Sequence, residues 1–359
     1  MRCCLPLLFL LPCLPAPSAA YSAMGADGHQ VGFRTLGHWS EEHGIRLDIN
    51  IWYPSIRKPR ELNYPPWTIH AARNGKPVDG RFPLLLLSHA SPGTRFSYHD
   101  TCAWLASHGF VVAAPTHSQD CMDNMSQLFT WGQLETRVRE LCAAIDLVVN
   151  DRDIRASVDR NRIGIVGFGA GGAAALLLGG AMPDCISWSS YCARAGENDA
   201  YCNPWVRNRI NRICQSLPLK KNLADPRVKA IAVIAPGFGM LFSAQSFAAF
   251  ASPVLVLTAE RDGMNKRSLH ADVIAGLLSG KARYARLKNA DIGALMAPCP
   301  ESLAEELPDL CRSVDARERR RIHRQMHAAL RDFFLLFLGR AGKIPAEPSS
   351  SDSAAKRRQ

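Results

Sequence analysis

The chain has 359 residues, of which 47% are hydrophobic and 21% are charged, and its formal net charge is +11. The length suffices for one large domain with a buried core, and the composition excludes a collagen-like or wholly disordered chain. Lys and Arg are spread along the whole sequence, so the basic balance does not predict binding to nucleic acid.

The first twenty residues have the pattern of an export signal. Arg2 supplies a positive charge, residues 5–14 form a short apolar stretch, and residues 18–20 are small, as a cleavage site requires. We therefore expect residues 1–20 to be a signal peptide and the protein to be exported, to the periplasm or out of the cell. No later apolar run is long enough to span a bilayer, so we expect no transmembrane segment.

The first part of the chain predicts strands and helices in alternation. Residues 45–53 alternate between apolar and polar, which is typical of a half-buried strand, and a Pro- and Lys/Arg-rich connection follows to about residue 81. The nearly continuous apolar run over 82–87 predicts a strand buried on both faces of a parallel sheet. A helix over 97–108 and a buried strand over 110–114 come next.

The alternation continues to the end of the predicted domain, which we place at residues 21–340. The later elements are a helix over 134–148, a strand at 163–166, a glycine-rich turn, a helix over 173–178, strands at 228–235 and 254–258 with a helix between them, a strand at 283–287 and a helix over 318–338. Strands that alternate with helices predict a mostly parallel, doubly wound α/β sheet. The basic end, residues 341–359, is rich in Ser, Ala and Pro, and we expect it to be disordered.

Nine of the twelve cysteines follow the predicted signal peptide. Residues 183–224 break the α/β pattern and predict an insertion over the sheet edge, closed by disulfides among Cys185, Cys192, Cys202 and Cys214. Spacing also predicts that Cys299 pairs with Cys311. Because nine is odd, at least one thiol stays free or pairs outside the chain. No CxxC pair is present, so we predict no zinc or other metal site, and no cofactor.

The glycine-rich turn after residue 166 admits three interpretations. Gly167, Gly169 and Gly172 match the dinucleotide-binding pattern G-x-G-x-x-G, but that pattern belongs to the first βα unit of a domain, and this turn follows at least three strands. A nucleophile elbow, G-x-S-x-G, also follows a buried strand and starts a helix, and its serine would fall at position 169. The turn alone does not separate an elbow from a glycine turn without chemistry.

Several segments carry a family resemblance that covers roughly residues 30–340. They are FPLLLLSH at 82–89, LASHGFVVAAP at 105–115, RIGIVG at 162–167, DPRVKA at 225–230, SPVLVL at 252–257, and a C-terminal block with Asn289, Ala290, Ala297, Pro298, Cys299, Cys311 and His323. With these segments the chain resembles the platelet-activating-factor acetylhydrolase and dienelactone-hydrolase-like branch of the α/β-hydrolase superfamily. The resemblance implies the α/β-hydrolase fold and a small ester or acyl compound as ligand.

The resemblance also implies where the functional positions of the family fall in this chain. The nucleophilic serine falls on Gly169, the acid on Asp262 and the histidine on Ile292. The oxyanion donors fall on the backbone amides of Ser91 and Ala170. Glycine offers no oxygen and isoleucine accepts no proton, so two of the three side chains that a serine hydrolase requires are missing. Asp262 is then a relic of the acid position, hydrogen-bonded to its own loop.

Three functional hypotheses follow. The first is a catalytically impaired pseudo-hydrolase that binds an ester or acyl ligand, or a protein partner, without turnover. The second is an active carboxylic-ester or lactone hydrolase with a relocated nucleophile. The third is a structural or interaction protein that uses the cysteine-rich insertion. For the second, the candidates are Ser91, His89, His117, His270, His323, His327, Asp120 and Asp123; we expect solvated or capping roles for His323 and His327 and solvated roles for the two aspartates.

Overall fold

The computed structural model describes residues 28–41, 45–216, 222–278 and 280–339. The predicted signal peptide, 1–20, and the predicted tail, 341–359, lie outside the described residues, and both stay predictions, as do the domain limits. None of the helices in the described ranges combines the length and the apolar character that a bilayer span requires.

A single mixed sheet of ten strands forms the centre of the fold. The strands are β1 (Gln30–Ser40), β2 (Ile45–Ser55), β3 (Arg60–Tyr64), β4 (Trp67–Arg73), β5 (Phe82–Ser88), β6 (Val111–Thr116), β7 (Val158–Phe168), β8 (Val228–Ile234), β9 (Val254–Ala259) and β10 (Ala282–Leu287). Their spatial order is β10-β9-β8-β7-β5-β6-β2-β1-β4-β3. The strands from β10 to β6 run parallel, and β2 joins them antiparallel. The predicted mostly parallel α/β sheet is confirmed.

Helices cover both faces of the sheet. They are α1 (His99–Ser107), α2 (Trp131–Asn150), α3 (Ala170–Leu178), α4 (Tyr191–Ala195), α5 (Pro204–Ser216), α6 (Ala271–Leu277), α7 (Ile292–Leu295), α8 (Glu301–Glu306), α9 (Pro308–Cys311) and α10 (Ala316–Leu338). Alternate residues of β5 enter two separate cores, because successive side chains of a strand point to opposite faces. Leu84 packs with α2 and α3, whereas Leu85 packs with α1 and α10. This explains why the strand reads as a continuous apolar run.

The N-terminal part of the sheet was not predicted in full. Strands β1, β3 and β4 fall where the sequence predicted a connection or no element. In β4 the buried Trp67 and Ile69 alternate with the exposed Thr68 and His70, so the period of two is present. The alternation is short and directly follows two prolines at 65–66, which hid it.

The predicted helix between β8 and β9 is wrong. The connection contains only two single-turn 3-10 helices, Gly239–Leu241 and Gln245–Phe247. Phe238 has a φ of +58° and therefore interrupts any helix at this point. Apolar side chains of this connection, among them Leu241 and Phe250, are nevertheless buried in the core.

The predicted disulfides are confirmed. Cys185 pairs with Cys214, Cys192 with Cys202, and Cys299 with Cys311, as expected for a protein of an oxidising compartment. Cys102, Cys121 and Cys142 are free thiols. The cystines at 185–214 and 192–202 close the insertion. Its helices α4 and α5 bury Tyr191 and Ile210 in the core, and the 3-10 helix Ala200–Cys202 between them buries Tyr201.

Candidate functional site

The turn between β7 and α3 has the geometry that the sequence pattern suggested. Gly169 adopts φ +54° and ψ −118°, a backbone conformation that residues with side chains rarely occupy. A Cβ atom at Gly167 would overlap the backbone of Gly171, and a Cβ atom at Gly171 would overlap the backbone of Ser88. Only glycine therefore permits this close approach of helix and strands.

Hydrogen bonds hold Gly169 firmly in place. Its amide donates to the carbonyl of Ile234 at 3.0 Å, and its carbonyl accepts from the amides of Gly172 and Gly237, each at 3.0 Å. A Cβ atom at Gly169 would lie 3.2 Å from the Cβ of Ala90 and 3.9 Å from an amide nitrogen, Nδ2 of Asn265. A side chain at this position would therefore point between the Ala90 loop and the loop that follows β9.

Asp262 lies in the loop after β9 and is buried. Its Oδ1 accepts hydrogen bonds from the backbone amides of Met264 at 2.9 Å and Asn265 at 2.8 Å. Its Oδ2 is also buried and has no hydrogen-bond partner among the described residues. Burial raises the pKa of Asp262, because the charged form loses hydration. One carboxylate oxygen thus stabilises the loop, and the other has no hydrogen-bond partner among the described residues.

Ile292 is the first residue of α7. Its neighbour Asp291 caps this helix by accepting from the amide of Ala294 at 2.8 Å. Asp291 is also close enough to Asp262 to add, after burial, to the rise in the pKa of that carboxyl. The half-buried Ile292 side chain packs against the core that contains Leu85, α1 and α10. We call Gly169, Asp262 and Ile292 the edge positions; their catalytic assignments stay predictions.

The two amides predicted as oxyanion donors belong to loops that meet at Gly169. Ser91 directly follows Ala90, which faces the missing side chain, and Ala170 begins α3. Among the hydrogen bonds of the described residues, neither amide donates to a protein acceptor. Such amides bind a carbonyl oxygen or oxyanion when they converge on one point. Their role also stays a prediction.

The insertion contributes a phenol to this region. The hydroxyl of Tyr201 donates to Oδ1 of Asn265 at 2.9 Å, and burial raises the pKa of Tyr201. A Cβ atom at Gly237 would lie 2.6 Å from the same hydroxyl. Sequence reasoning missed Asn265, although it lies three residues after Asp262. Nothing in the sequence around Tyr201 indicates where its side chain docks.

A second set of polar residues lies beneath the turn. Ser88 Oγ is 2.8 Å from His117 Nε2, and His117 Nδ1 is 2.6 Å from Glu140 Oε2. All three side chains are at most 1% exposed. Burial raises the pKa of Glu140 to about 7 and lowers the pKa of His117 well below its ordinary value. The order of groups is that of a Ser–His–acid triad, but without access to solvent.

Arg137 joins this triad to the Ser91 loop. It is fully buried and donates to Asp120 Oδ2 at 2.7 Å, to the carbonyl of His89 at 2.6 Å and to Ser88 Oγ at 3.2 Å. Asp120 also accepts from the hydroxyl of Ser91. The expectation that Asp120 is a solvated loop carboxylate is therefore wrong. Ser88, His117, Asp120, Arg137 and Glu140 form what we call the buried network.

The sequence held a signal for the buried network that was not used. Arg137 and Glu140 lie beside Leu134, Val138 and Leu141 on the face of α2 that enters the core. Charged residues are almost never buried without partners, so a charge on an apolar helix face predicts a paired interior group.

The remaining histidines have structural surroundings. His89 Nδ1 donates to the carbonyl of Ala90 at 2.7 Å, and its Nε2 accepts from the amide of His117 at 3.1 Å. His270 Nδ1 accepts from the amide of Gly239 at 3.1 Å. The solvated or capping roles expected for His323 and His327 are wrong, since both side chains are buried.

A family model described as platelet-activating factor acetylhydrolase, isoform II, matches residues 61–131. The chain is also similar to Cutinase 2 of Thermobifida cellulosilytica and Cutinase cut1 of Thermobifida fusca, with 35% identity over 88 residues in each case. These 88 residues are 23% of this chain and 30% and 24% of the two cutinases, so the chain spans less than a third of the curated relatives it matches.

Among solved structures, a ferulic acid esterase from Streptomyces cinnamoneus superposes with a TM-score of 0.60 and 17% identity, over 91% of this chain and 95% of that one. At this level of identity the likeness establishes the fold, and the predicted α/β-hydrolase fold is confirmed. Taken with the family model and the cutinases, it relates the chain to the esterase-like proteins of the α/β-hydrolase superfamily.

Proposed function

We propose that the chain is a catalytically impaired, exported α/β-hydrolase that binds a small ester or acyl ligand without serine-hydrolase turnover. The observation that carries the proposal is the turn at Gly169, which has the bent strand-to-helix backbone of a nucleophile elbow and carries no side chain. A turn of this shape presents its residue to a ligand at the carboxyl end of the sheet. Here it presents backbone alone.

Binding of an ester carbonyl is supported by groups that do not depend on a nucleophile. The amides of Ser91 and Ala170 have no acceptor among the described residues, and they directly follow Ala90 and Gly169, two residues that face each other. Converging amides hold a carbonyl oxygen through the backbone, whatever the side chains are. The three disulfides support export, and the choice between periplasm and extracellular space stays a prediction.

Loss of turnover follows from the edge positions. Hydrolysis through an acyl-enzyme requires an attacking oxygen and a base that takes its proton, and neither glycine nor isoleucine supplies one. Without the triad, the rate that remains comes from the oxyanion donors and from binding, roughly 10³–10⁴-fold over water. That remainder is orders of magnitude below the rate of a working hydrolase.

The test compares the unchanged chain with Gly169→Ser, Ile292→His and the double variant. A fluorophosphonate probe reports a reactive serine, and hydrolysis of p-nitrophenyl acetate reports turnover. We expect no labelling of the unchanged chain and labelling with roughly 100-fold faster hydrolysis, or more, only in the double variant. Saturation-transfer NMR with p-nitrophenyl butyrate reports whether the unchanged chain binds an intact ester. Robust turnover with labelling of the unchanged chain contradicts the proposal.

The buried network favours one alternative, an active hydrolase that uses Ser88. The Ser88–His117–Glu140 hydrogen bonds have the order of a triad, and Arg137 lies 3.2 Å from the Ser88 hydroxyl. The side chain of Ser88 is buried, so attack on an ester requires the turn to open. Labelling that Ser88→Ala abolishes, while Ser91→Ala leaves it unchanged, would establish this alternative.

A further inference from the structure

Three side chains of the types that bind metal ions lie close together, away from the edge positions. His323 and His327 are one turn apart on α10, so both face the same side of that helix, toward Asp100 of α1. One ligand atom from each of the three lies within 4.8 Å of the other two. His323 is 3% exposed and His327 is 1% exposed. Because buried polar groups almost always have hydrogen-bond partners, the partners of these three side chains indicate what holds them together.

Both ring nitrogens of His323 face hydrogen-bond acceptors. Its Nε2 lies 2.9 Å from the carbonyl of Ala294, and a carbonyl only accepts, so Nε2 carries a hydrogen. Its Nδ1 lies 2.7 Å from Oδ2 of Asp100, which as a carboxylate also only accepts. These two atoms are therefore held together either by a hydrogen shared between them or by a metal ion that both residues bind.

Two further atoms are buried with no partner among the described residues. They are Oδ1 of Asp100 and Nδ1 of His327. The other nitrogen of His327, Nε2, lies 3.0 Å from the hydroxyl of Thr101. A neutral imidazole has one nitrogen that carries a hydrogen and one that offers a lone pair. A hydrogen shared between His323 and Asp100 leaves both atoms unsatisfied, whereas one metal ion bound by Asp100 and the two histidines gives the buried group a common partner.

We propose that Asp100, His323 and His327 bind a divalent transition-metal ion of the zinc class. Two imidazoles and a carboxylate form a known ligand set for zinc, with bonds of about 2.0–2.2 Å. Ligand atoms on such an ion stand about 3.4 Å apart, so the present group closes onto an ion by small rotations of the three side chains.

The surroundings supply what a metal site requires beyond its ligands. The carbonyl of Ala294 accepts from Nε2 of His323, and the hydroxyl of Thr101 lies 3.0 Å from Nε2 of His327, where it accepts in the tautomer that leaves the Nδ1 lone pair free for an ion. Asp100 and His323 also line a cavity of about 730 Å³, which gives the ion a path and leaves a fourth position for water. This departs from the expectation of no metal site, which considered only cysteine pairs.

A metal ion takes the place of the hydrogen between His323 and Asp100, and that hydrogen leaves to solvent as a proton. The other titratable or charged groups that face the site are His99 and Arg319, next to Asp100, and His108, across Trp104 from His327. Arg319 is held by three backbone carbonyls and does not occupy the site.

The test uses the exported chain, produced without a histidine tag and treated with a chelator. Zn²⁺ binding is measured by calorimetry and Co²⁺ binding by its visible absorption. We expect one ion per chain and a higher Tm with metal. His327→Ala and Asp100→Asn should weaken binding by roughly 100-fold or more, and Thr101→Val by about 10–100-fold.

His70→Ala, on the exposed face of β4, is the matched control and should bind as the unchanged chain does. Thr101→Val keeps all three ligands, so it serves if the ligand variants fail to fold. The proposal is overturned if the chelator-treated chain binds no ion. The three side chains would then be held together by shared hydrogens and water. It is also overturned if Thr101→Val, His327→Ala and Asp100→Asn all bind as the control does. These readouts are independent of ester hydrolysis.

Discussion

The fold depends very differently on the edge positions and on the buried network. In the buried network every member bonds to another, and Arg137 alone reaches Asp120, Ser88 and the carbonyl of His89. At the edge, the side chain of Asp262 bonds only to its own loop, and Gly169 contributes backbone alone.

This contrast shows which positions the stability of the fold depends on. A substitution at Gly169 or Ile292 removes no side-chain hydrogen bond of the scaffold, whereas a substitution in the buried network leaves a buried charge without its partner. Breaking a buried ion pair is costly because the remaining charge has no hydration. Selection for a stable chain therefore conserves the buried network and leaves the edge positions free to change.

The largest expected effect is at Arg137. Arg137→Met should lower the free energy of unfolding by about 3–5 kcal/mol, because Asp120 stays buried without its cation. Urea denaturation followed by circular dichroism measures the change. Arg139→Met, two residues along α2, removes a partly exposed i,i+4 ion pair to Glu135 and should cost less than about 0.5 kcal/mol. Equal effects of the two variants would contradict the contrast.

A smaller loss is expected at the edge from Gly169→Ser. The positive φ and the 3.2 Å approach of the new Cβ to Ala90 should cost about 1–3 kcal/mol. The matched control is Gly263→Ala, because a Cβ atom there meets nothing within 4 Å, and the change should be within about 0.5 kcal/mol of neutral. A Gly169→Ser chain as stable as the unchanged one would mean that the turn is not strained.

The smallest effect has the opposite sign. Asp262→Asn should raise the free energy of unfolding by about 1 kcal/mol at pH 7, since it removes a buried charge whose Oδ2 has no partner among the described residues and keeps an oxygen for the amides of Met264 and Asn265.

The pH dependence of stability tests the same prediction for Asp262→Asn. Burial raises the pKa of Asp262 in the folded state, so its contribution to stability is full below about pH 4 and is lost as pH rises through the folded value. The unchanged chain should therefore lose stability relative to Asp262→Asn as pH rises from 4 to 7. Parallel stability curves for the two chains would show that Asp262 has a partner or an ordinary pKa.

The central strands and their order along the chain were predictable, because β5 to β9 each contain a short, nearly continuous apolar run. The turn at Gly169 and the Cys299–Cys311 cystine were predictable from local spacing, whereas the pairing among the four cysteines of the insertion was left open. Strands β1, β3 and β4 were not predictable: β3 and β4 are short and lie beside prolines, and glycines at 32 and 37 interrupt the apolar pattern of β1. The interior partners of Arg137 depend on contacts between distant segments, and the spacing of His323 and His327 indicated a shared face without indicating that α1 covers it.

The hydrogen bond from Tyr201 to Asn265 has a consequence for how the protein matures. Tyr201 lies in the segment between Cys185 and Cys214 and next to Cys202, so its position depends on two cystines. Oxidation of these thiols is then a step in placing the phenol beside Asn265 as well as a source of stability. In a chain whose cysteines stay reduced, the position of this phenol would lose both covalent constraints.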